Sequence, residues 1–418
     1  MKTTLMAIAL ATTAFTAAAA QTPTLDIPPP EPVARASATA APGRGAGPTF
    51  DAVRFGKKLD AALDAATASY AWSITQGGKL VASGQDGYAR TPADGNILHG
   101  PNQRQNIASV SKTITTVVIL QLLRRMGKDE DTKIATYLPP GWKAGPNVDK
   151  LTFAHLLNHR SAFPVPNNNS EGILGYEAMR AMVLAGTSNA PPFPAPPANI
   201  DYRNVNFALL RVLTSQMYAQ LYAQTKQKPE ELAIAMQPQL GKLPPIQDFQ
   251  TYLRQLNNYV YTGLAQKYVF NPIGVKGALC EDKTPKATLY YDQAQTIKGE
   301  RSMGNNSWTN FCGSGGWYLS SNDLVKFMTY LRNTEVLLPK PWRDKMVAER
   351  FGLYRSIGEH GDYFFHSGVV GSGDKGGIYA CLMRFSINVE AAVVINSVLP
   401  AGMKPCDVVR QTFDAAWQ

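Results

Sequence analysis

The sequence predicts an α+β fold, an antiparallel sheet flanked by helices with a mostly helical lobe inserted. Three observations lead there. A helical period near the N-terminus runs into a hairpin, a long middle stretch carries helical patterning, and two apolar strands followed by a helix close the chain.

Taken in order, Asp51 to Ala66 sets apolar Val53, Leu59, Ala62 and Leu63 among charges at a helical period. Ala71-Trp72-Ser73-Ile74-Thr75, then Gly77-Gly78, then Lys79-Leu80-Val81-Ala82 reads as a hairpin. Ser109 to Met126 is apolar and β-branched nearly all round and stops at Gly127, which predicts a buried helix. Leu151 to His159 and Val205 to Gln224 read as helices. Pro164 to Ile200 reads as loop, with Asn167-Asn168-Asn169 and a proline-rich run from Pro191 to Pro197. Ser320-Ser321 caps a helix through Leu331. Ile378 to Phe385 and Val389 to Asn396 read as strands, and Cys406 to Trp417 as the last helix. The helical lobe spans roughly 128–310.

Residues 1–20 combine one lysine, a short apolar run and Ala18-Ala19-Ala20, the pattern of a secretory signal peptide, so a periplasmic or secreted protein is expected. Residues 21–49 are rich in Pro, Ala and Gly and read as a linker ahead of one domain, 50–418. No other stretch is apolar for the ~20 residues of a spanning helix, so no stable membrane insertion is expected. The formal charge of +10 is dispersed, with no basic run longer than Arg124-Arg125, which argues against nucleic acid as a partner. The even set Cys280, Cys312, Cys381 and Cys406 permits disulfides in an exported chain, with three possible pairings.

Chemistry concentrates at Ser109-Val110-Ser111-Lys112. A serine and a lysine three apart share a helix face, and a helix N-terminus favours negative charge. A lysine buried in an apolar helix loses its ammonium form to desolvation and becomes a base for the hydroxyl. The same pattern recurs at Ser372-Gly373-Asp374-Lys375, in a glycine-rich loop with no helix to set its geometry. That loop is formally G-x-G-x-x-G, but a strand follows where a dinucleotide site needs a helix. His155 and His159 are spaced to share a metal, yet the intervening glutamate of H-E-x-x-H is missing, and structural histidines are expected.

Asn106 to Leu120 (NIASVSKTITTVVIL) resembles the nucleophile helix of the β-lactamase-related serine hydrolases, the group of class C β-lactamases and D-alanyl-D-alanine peptidases in the penicillin-binding-protein superfamily. Tyr202-Arg203-Asn204 resembles the group's Y-x-N element and His366-Ser367-Gly368 its H-x-G form of K-T-G. Lys128 to Leu138, Leu151 to Pro164, Asn271 to Gly274 and Gly313 to Phe327 resemble further landmarks in the same order. Ala162 departs from the pattern, standing where glycine is usual, and Met217 to Asp248 looks like an extra helical insertion.

The resemblance implies a β-lactamase/transpeptidase-like fold and catalysis by Ser109, Lys112 and Tyr202. The Tyr202 phenol would be acidified by nearby cations, and Asn204 would bond the lysine or the substrate amide. His366, Ser367 and Gly368 would bind substrate on an edge strand, glycine letting substrate lie against it. The backbone N–H groups of Ser109 and Val369 would form an oxyanion hole. No metal or organic cofactor is implied, and the partner is a small-molecule or peptide substrate. The oligomeric state is left open. A peptidase or amidase acting on D-amino-acid or peptidoglycan-type peptides ranks first, because a histidine in place of the K-T-G lysine offers no fixed cation to a substrate carboxylate. A carboxylesterase ranks second and a β-lactamase third. A non-catalytic binder of peptidoglycan fragments is the alternative from another class.

Overall fold

The computed structural model describes residues 48–165, 171–187, 201–225, 249–301, 308–371 and 376–418. Six strands, β1 (Tyr70–Gln76), β2 (Lys79–Asp86), β3 (Tyr354–Gly358), β4 (Gly361–Gly371), β5 (Gly377–Phe385) and β6 (Val389–Ile395), form one sheet. Their order is β2-β1-β6-β5-β4-β3, and every neighbouring pair is antiparallel. The alternation of side chains along each strand sorts the apolar residues onto two faces. Trp72, Ile74, Cys381, Met383, Ala391 and Val393 face helices α1 (Ala52–Asp64) and α6 (Pro405–Asp414), meeting Phe55, Leu59 and Phe413 there. Ala71, Ala380, Leu382, Ala392 and Val394 face the other way, into the core built around helix α2 (Ser111–Arg125).

Local chemistry accounts for the ends of these elements. Asp51 caps α1 by accepting from Val53 N and Arg54 N at 2.9 and 3.0 Å. Val53, expected on the apolar face, is 58% exposed; Phe55, Leu59 and Leu63 make the buried stripe instead. Gly77 and Gly78 both take positive φ, +56° and +83°, which a two-residue turn between twisted strands requires. Ser320 caps helix α5 (Ser321–Asn333), its hydroxyl accepting from Asp323 N while Asp323 returns the bond.

Helix α2 is rich in β-branched residues, which cost helix propensity, so its stability comes from packing. Every residue from Ser111 to Leu123 is buried. Each fully buried Ile, Val or Leu contributes about 1.5–3 kcal/mol. The polar members are satisfied individually. Ser111 Oγ accepts from Trp317 N at 3.1 Å, Thr113 donates to the Gly352 carbonyl at 2.8 Å, and Gln121 donates to the Leu337 carbonyl.

Between α2 and the end of the lobe the long elements are α3 (Asn204–Thr225) and α4 (Phe249–Ala265). The stretch expected as loop from Pro164 to Ile200 contains helices at Glu171–Leu174 and Tyr176–Ala185. Tyr176, Met179, Met182 and Val183 form a buried helical stripe that the neighbouring Asn and Pro clusters mask in the sequence. Asn167 to Asn169, the Pro191–Pro197 run and residues 226–248 of the expected insertion lie outside the described residues. Cysteine pairing resolves to Cys280–Cys312 and Cys381–Cys406, with Cα separations of 5.5 and 5.1 Å. Among the described residues no helix is long and apolar enough to cross a membrane.

Candidate active site

The Ser109 turn is held from behind. Gln105–Asn106 pairs with Tyr318–Leu319, and Ile107 N donates to the Trp317 carbonyl at 2.9 Å. Asn106 Oδ1 accepts from Ala108 N at 2.7 Å and fixes Ala108 at φ 45°. A non-glycine residue in that left-handed region costs roughly 1–2 kcal/mol. Strain of this kind persists only where the surroundings enforce it. A 3-10 turn, Ala108–Val110, then leads into α2, so Ser109 lies just ahead of the α-helix, where the sequence had suggested its first residue. The three-residue offset still brings Lys112 Nζ to 3.0 Å from Ser109 Oγ.

Lys112 is fully buried, and burial pushes its pKa well below the ordinary lysine value. Its nitrogen donates to Asn204 Oδ1 at 2.8 Å and to the Ser314 carbonyl at 2.6 Å. Two carbonyl acceptors use both N–H groups of a neutral amine, which leaves the lone pair for the Ser109 hydroxyl. Tyr202 Oη donates to Ser109 Oγ at 2.6 Å. Asn204 opens α3, and the Tyr202 ring lies on His159 with centroids 4.5 Å apart. The serine oxygen thus stands between an amine able to take its proton and a phenol able to stabilise the resulting alkoxide.

The expected acidification of Tyr202 is overturned. Burial pushes its phenol above the ordinary value, and the hydrogen bond with Ser109 only partly opposes this. Lys112, whose Nζ lies 4.9 Å from the ring centroid, is itself pushed toward its neutral form by burial.

His366, Ser367, Gly368 and Val369 sit on β4, which is second from the edge because β3 pairs with it from Gly361 to Phe365. Among the described residues no strand pairs with His366–Gly371 on that side, so the edge expected there exists locally. The His366 side chain is buried. Its Nδ1 lies 2.9 Å from the Ser367 carbonyl, which fixes the Nδ1–H tautomer. Burial pushes its pKa down to about 3, so the ring is neutral. Among the described residues Nε2 has no hydrogen-bond partner, and His366 lines a hollow shared with Asn158, His159, Gly352 and Tyr354. Val369 is 48% exposed.

Gly368 has a packing reason to be glycine beside the expected one. A Cβ there would stand 2.3 Å from the Ile107 carbonyl oxygen and 3.1 Å from Ala108 Cβ. The missing side chain lets β4 close against the Ser109 turn. Gly368→Ala is expected to lower stability by about 1–3 kcal/mol through overpacking. It should also cut kcat/KM up to about 10²-fold by displacing the turn. Thermal melts and steady-state kinetics check both, and wild-type values in both would contradict the packing role.

Sequence reasoning missed the Ser314 carbonyl, because a backbone acceptor leaves no residue-type signature; the Gly313–Gly316 run was its nearest signal. The Ser320-Ser321-Asn322 segment is structural, since Ser321 Oγ and Asn322 Oδ1 lie 2.9 and 2.7 Å from Ser73 Oγ. His155 Nδ1 accepts from Thr152 N at 3.0 Å in a helix cap, and His159 Nδ1 accepts from Arg203 N at 3.1 Å. Ser372 to Lys375 lie outside the described residues.

A protein-family model described as Beta-lactamase matches residues 55–228. No curated protein matches the chain. Among solved structures, FmtA from Staphylococcus aureus is 15% identical with a TM-score of 0.59, covering 89% of this chain and 93% of that one. A β-lactamase/D-alanine carboxypeptidase from Pseudomonas syringae is 13% identical with a TM-score of 0.59, covering 86% and 97%. The D-amino acid amidase from Ochrobactrum anthropi SV3, complexed with L-phenylalanine amide, is 15% identical with a TM-score of 0.60, covering 87% and 98%. At these identities the structural likeness establishes the fold.

Proposed function

We propose that the chain is a serine hydrolase of the β-lactamase and penicillin-binding-protein-like group and that it cleaves an amide through an acyl-enzyme on Ser109. One observation carries the reading: Ser109 Oγ stands 3.0 Å from the buried Lys112 amine and 2.6 Å from the Tyr202 hydroxyl. Lys112 takes the serine proton as Oγ attacks the carbonyl carbon. The backbone N–H groups of Ser109 and Val369 receive the oxyanion. The leaving nitrogen takes its proton from the Lys112–Tyr202 pair, and water then hydrolyses the acyl-serine.

Within that chemistry we assign a peptidase or amidase acting on D-amino-acid or peptidoglycan-type peptides. A neutral His366 supplies no charge for a substrate carboxylate. The open side of β4 from His366 to Gly371 suits an extended peptide that adds as a strand. Structural neighbours named as a D-amino acid amidase and a D-alanine carboxypeptidase agree in bond type. The signal-peptide pattern of residues 1–20 and the two disulfides support action outside the cytoplasm.

The substrate assignment is tested by comparing kcat/KM for a D-amino-acid amide, a D-alanyl-D-alanine peptide, a p-nitrophenyl ester and a cephalosporin. The amide or peptide should lead. An ester or cephalosporin preferred over both would contradict it. Tyr202→Phe is expected to lower kcat/KM by about 10²-fold, the low end for a proton-transfer group. A wild-type rate would remove Tyr202 from the proton path.

A further inference from the structure

Ser314 contributes its carbonyl to Lys112 while its own hydroxyl turns back to the Phe311 carbonyl at 3.2 Å. The segment carrying that carbonyl is held from several sides. Thr115 Oγ1, three residues along α2 from Lys112, donates to the Gly313 carbonyl at 2.7 Å. Tyr261 Oη on α4 lies 2.7 Å from the same hydroxyl and accepts from Trp317 Nε1 at 3.0 Å. A Cβ on Gly313 would stand 2.6 Å from the Phe207 carbonyl oxygen, so the segment is pressed against α3. One residue further back is Cys312, bridged to Cys280. Next to Cys280, the Leu279 carbonyl accepts from Tyr318 N at 2.8 Å.

We propose that the Cys280–Cys312 disulfide is a positioning element of the base: it holds the Ser314 carbonyl on Lys112 and closes that side of the amine to water. This rests on Lys112 being the base for Ser109. Without the bridge, the Cys312–Ser314 segment gains freedom two residues from the carbonyl, and water reaches the amine. A carbonyl exchanged for a water oxygen leaves the bonding of Nζ almost unchanged, but restored hydration removes the burial that pushes Lys112 toward its neutral form. The titratable groups turned toward Lys112 do not oppose this. They are Tyr202 ahead of α3, His159 after the Phe153–Leu157 helix and His366 on β4, and burial holds both imidazoles neutral.

The second bridge supplies the control. Cys381–Cys406 closes a span of 25 residues against 32 for Cys280–Cys312, so either loss relaxes the unfolded chain to a similar degree. It joins β5 to α6, with Cys406 Sγ 3.6 Å from the His366 carbonyl, on the strand side of the site.

The experiment reads the rate of Ser109 labelling by a fluorophosphonate across pH in wild type, Cys280→Ala/Cys312→Ala and Cys381→Ala/Cys406→Ala. The first double variant is expected to shift the acid limb upward by about one pH unit, slowing labelling about tenfold on the acid side with recovery at high pH. The second should leave the limb in place, whatever it does to stability. An unmoved limb in the first, or an equal shift in both, overturns the proposal. Should the first variant not fold, Thr115→Val, which frees the Gly313 carbonyl without touching the bridge, is read by the same curve for the same direction of shift. Wild type that fails to label at Ser109 would overturn the Ser109 reading itself, a distinguishable result.

Discussion

Ser109→Ala is expected to lower kcat by on the order of 10⁵-fold and to abolish covalent labelling, with the melting temperature nearly unchanged. The substitution removes one hydroxyl from a turn whose shape is set elsewhere, by the Asn106 side chain on Ala108 N and by Ile107 N on the Trp317 carbonyl. Lys112 loses a neighbour but keeps both carbonyl acceptors, Asn204 Oδ1 and Ser314 O. A scaffold role for Ser109 would give the opposite pattern, lost stability with retained turnover. Melting curves and turnover measured on the same preparation separate the two.

Lys112→Met is expected to lower kcat/KM by about 10³–10⁴-fold, because no other described group stands ready to take the serine proton. It should also change how stability depends on pH. In the unfolded chain Lys112 holds its proton up to its ordinary pKa of 10.5, whereas in the fold burial depresses that value. Over the window between the two, the unfolded state binds more protons, so Lys112 makes unfolding free energy rise with pH. The slope is at most about 1.4 kcal/mol per pH unit and vanishes above the ordinary pKa. Methionine removes it. The stability of wild type minus that of the variant should therefore rise between pH 7 and pH 9 in denaturant titrations. A flat difference would mean that Lys112 is charged in the fold.

The features legible in the sequence were those in which residue type and spacing coincide. Helix α2 announced itself by a nearly all-round apolar and β-branched surface, and the turn that leads into it by a serine and lysine three apart. The hairpin showed in Gly77-Gly78, the strands β5 and β6 in their apolar runs, and the cap of α5 in Ser320. The Tyr176–Ala185 helix was hidden because its stripe is short and lies between Asn-rich and Pro-rich segments. Val53 fits the helical period of α1 yet faces solvent, since Phe55 and not Val53 sets which side meets Phe413.

At the site, side-chain chemistry was readable and backbone chemistry was not. Ser109, Lys112, Tyr202 and Asn204 come together within hydrogen-bonding reach. The Ser314 carbonyl carries no residue signature. Two physical readings needed three dimensions to settle. The Tyr202 phenol is raised by its own burial, and burial also pushes the neighbouring Lys112 toward its neutral form. Gly368 is required by the approach of the Ile107 carbonyl, a contact between segments far apart in sequence. Ala162, which departs from the resembled pattern's glycine, takes φ 58°, a left-handed conformation that costs a non-glycine residue about 1–2 kcal/mol.

The central claim is that Ser109 is an acylated nucleophile, and intact-mass spectrometry with peptide mapping after fluorophosphonate treatment tests it most directly. The account predicts a single stoichiometric adduct on the peptide containing Ser109, absent in Ser109→Ala and slowed in Lys112→Met. An unlabelled wild-type protein would favour a non-catalytic binder of peptidoglycan fragments. An adduct that survives Ser109→Ala and maps to Ser372 would contradict the account and move the chemistry to the glycine-rich loop.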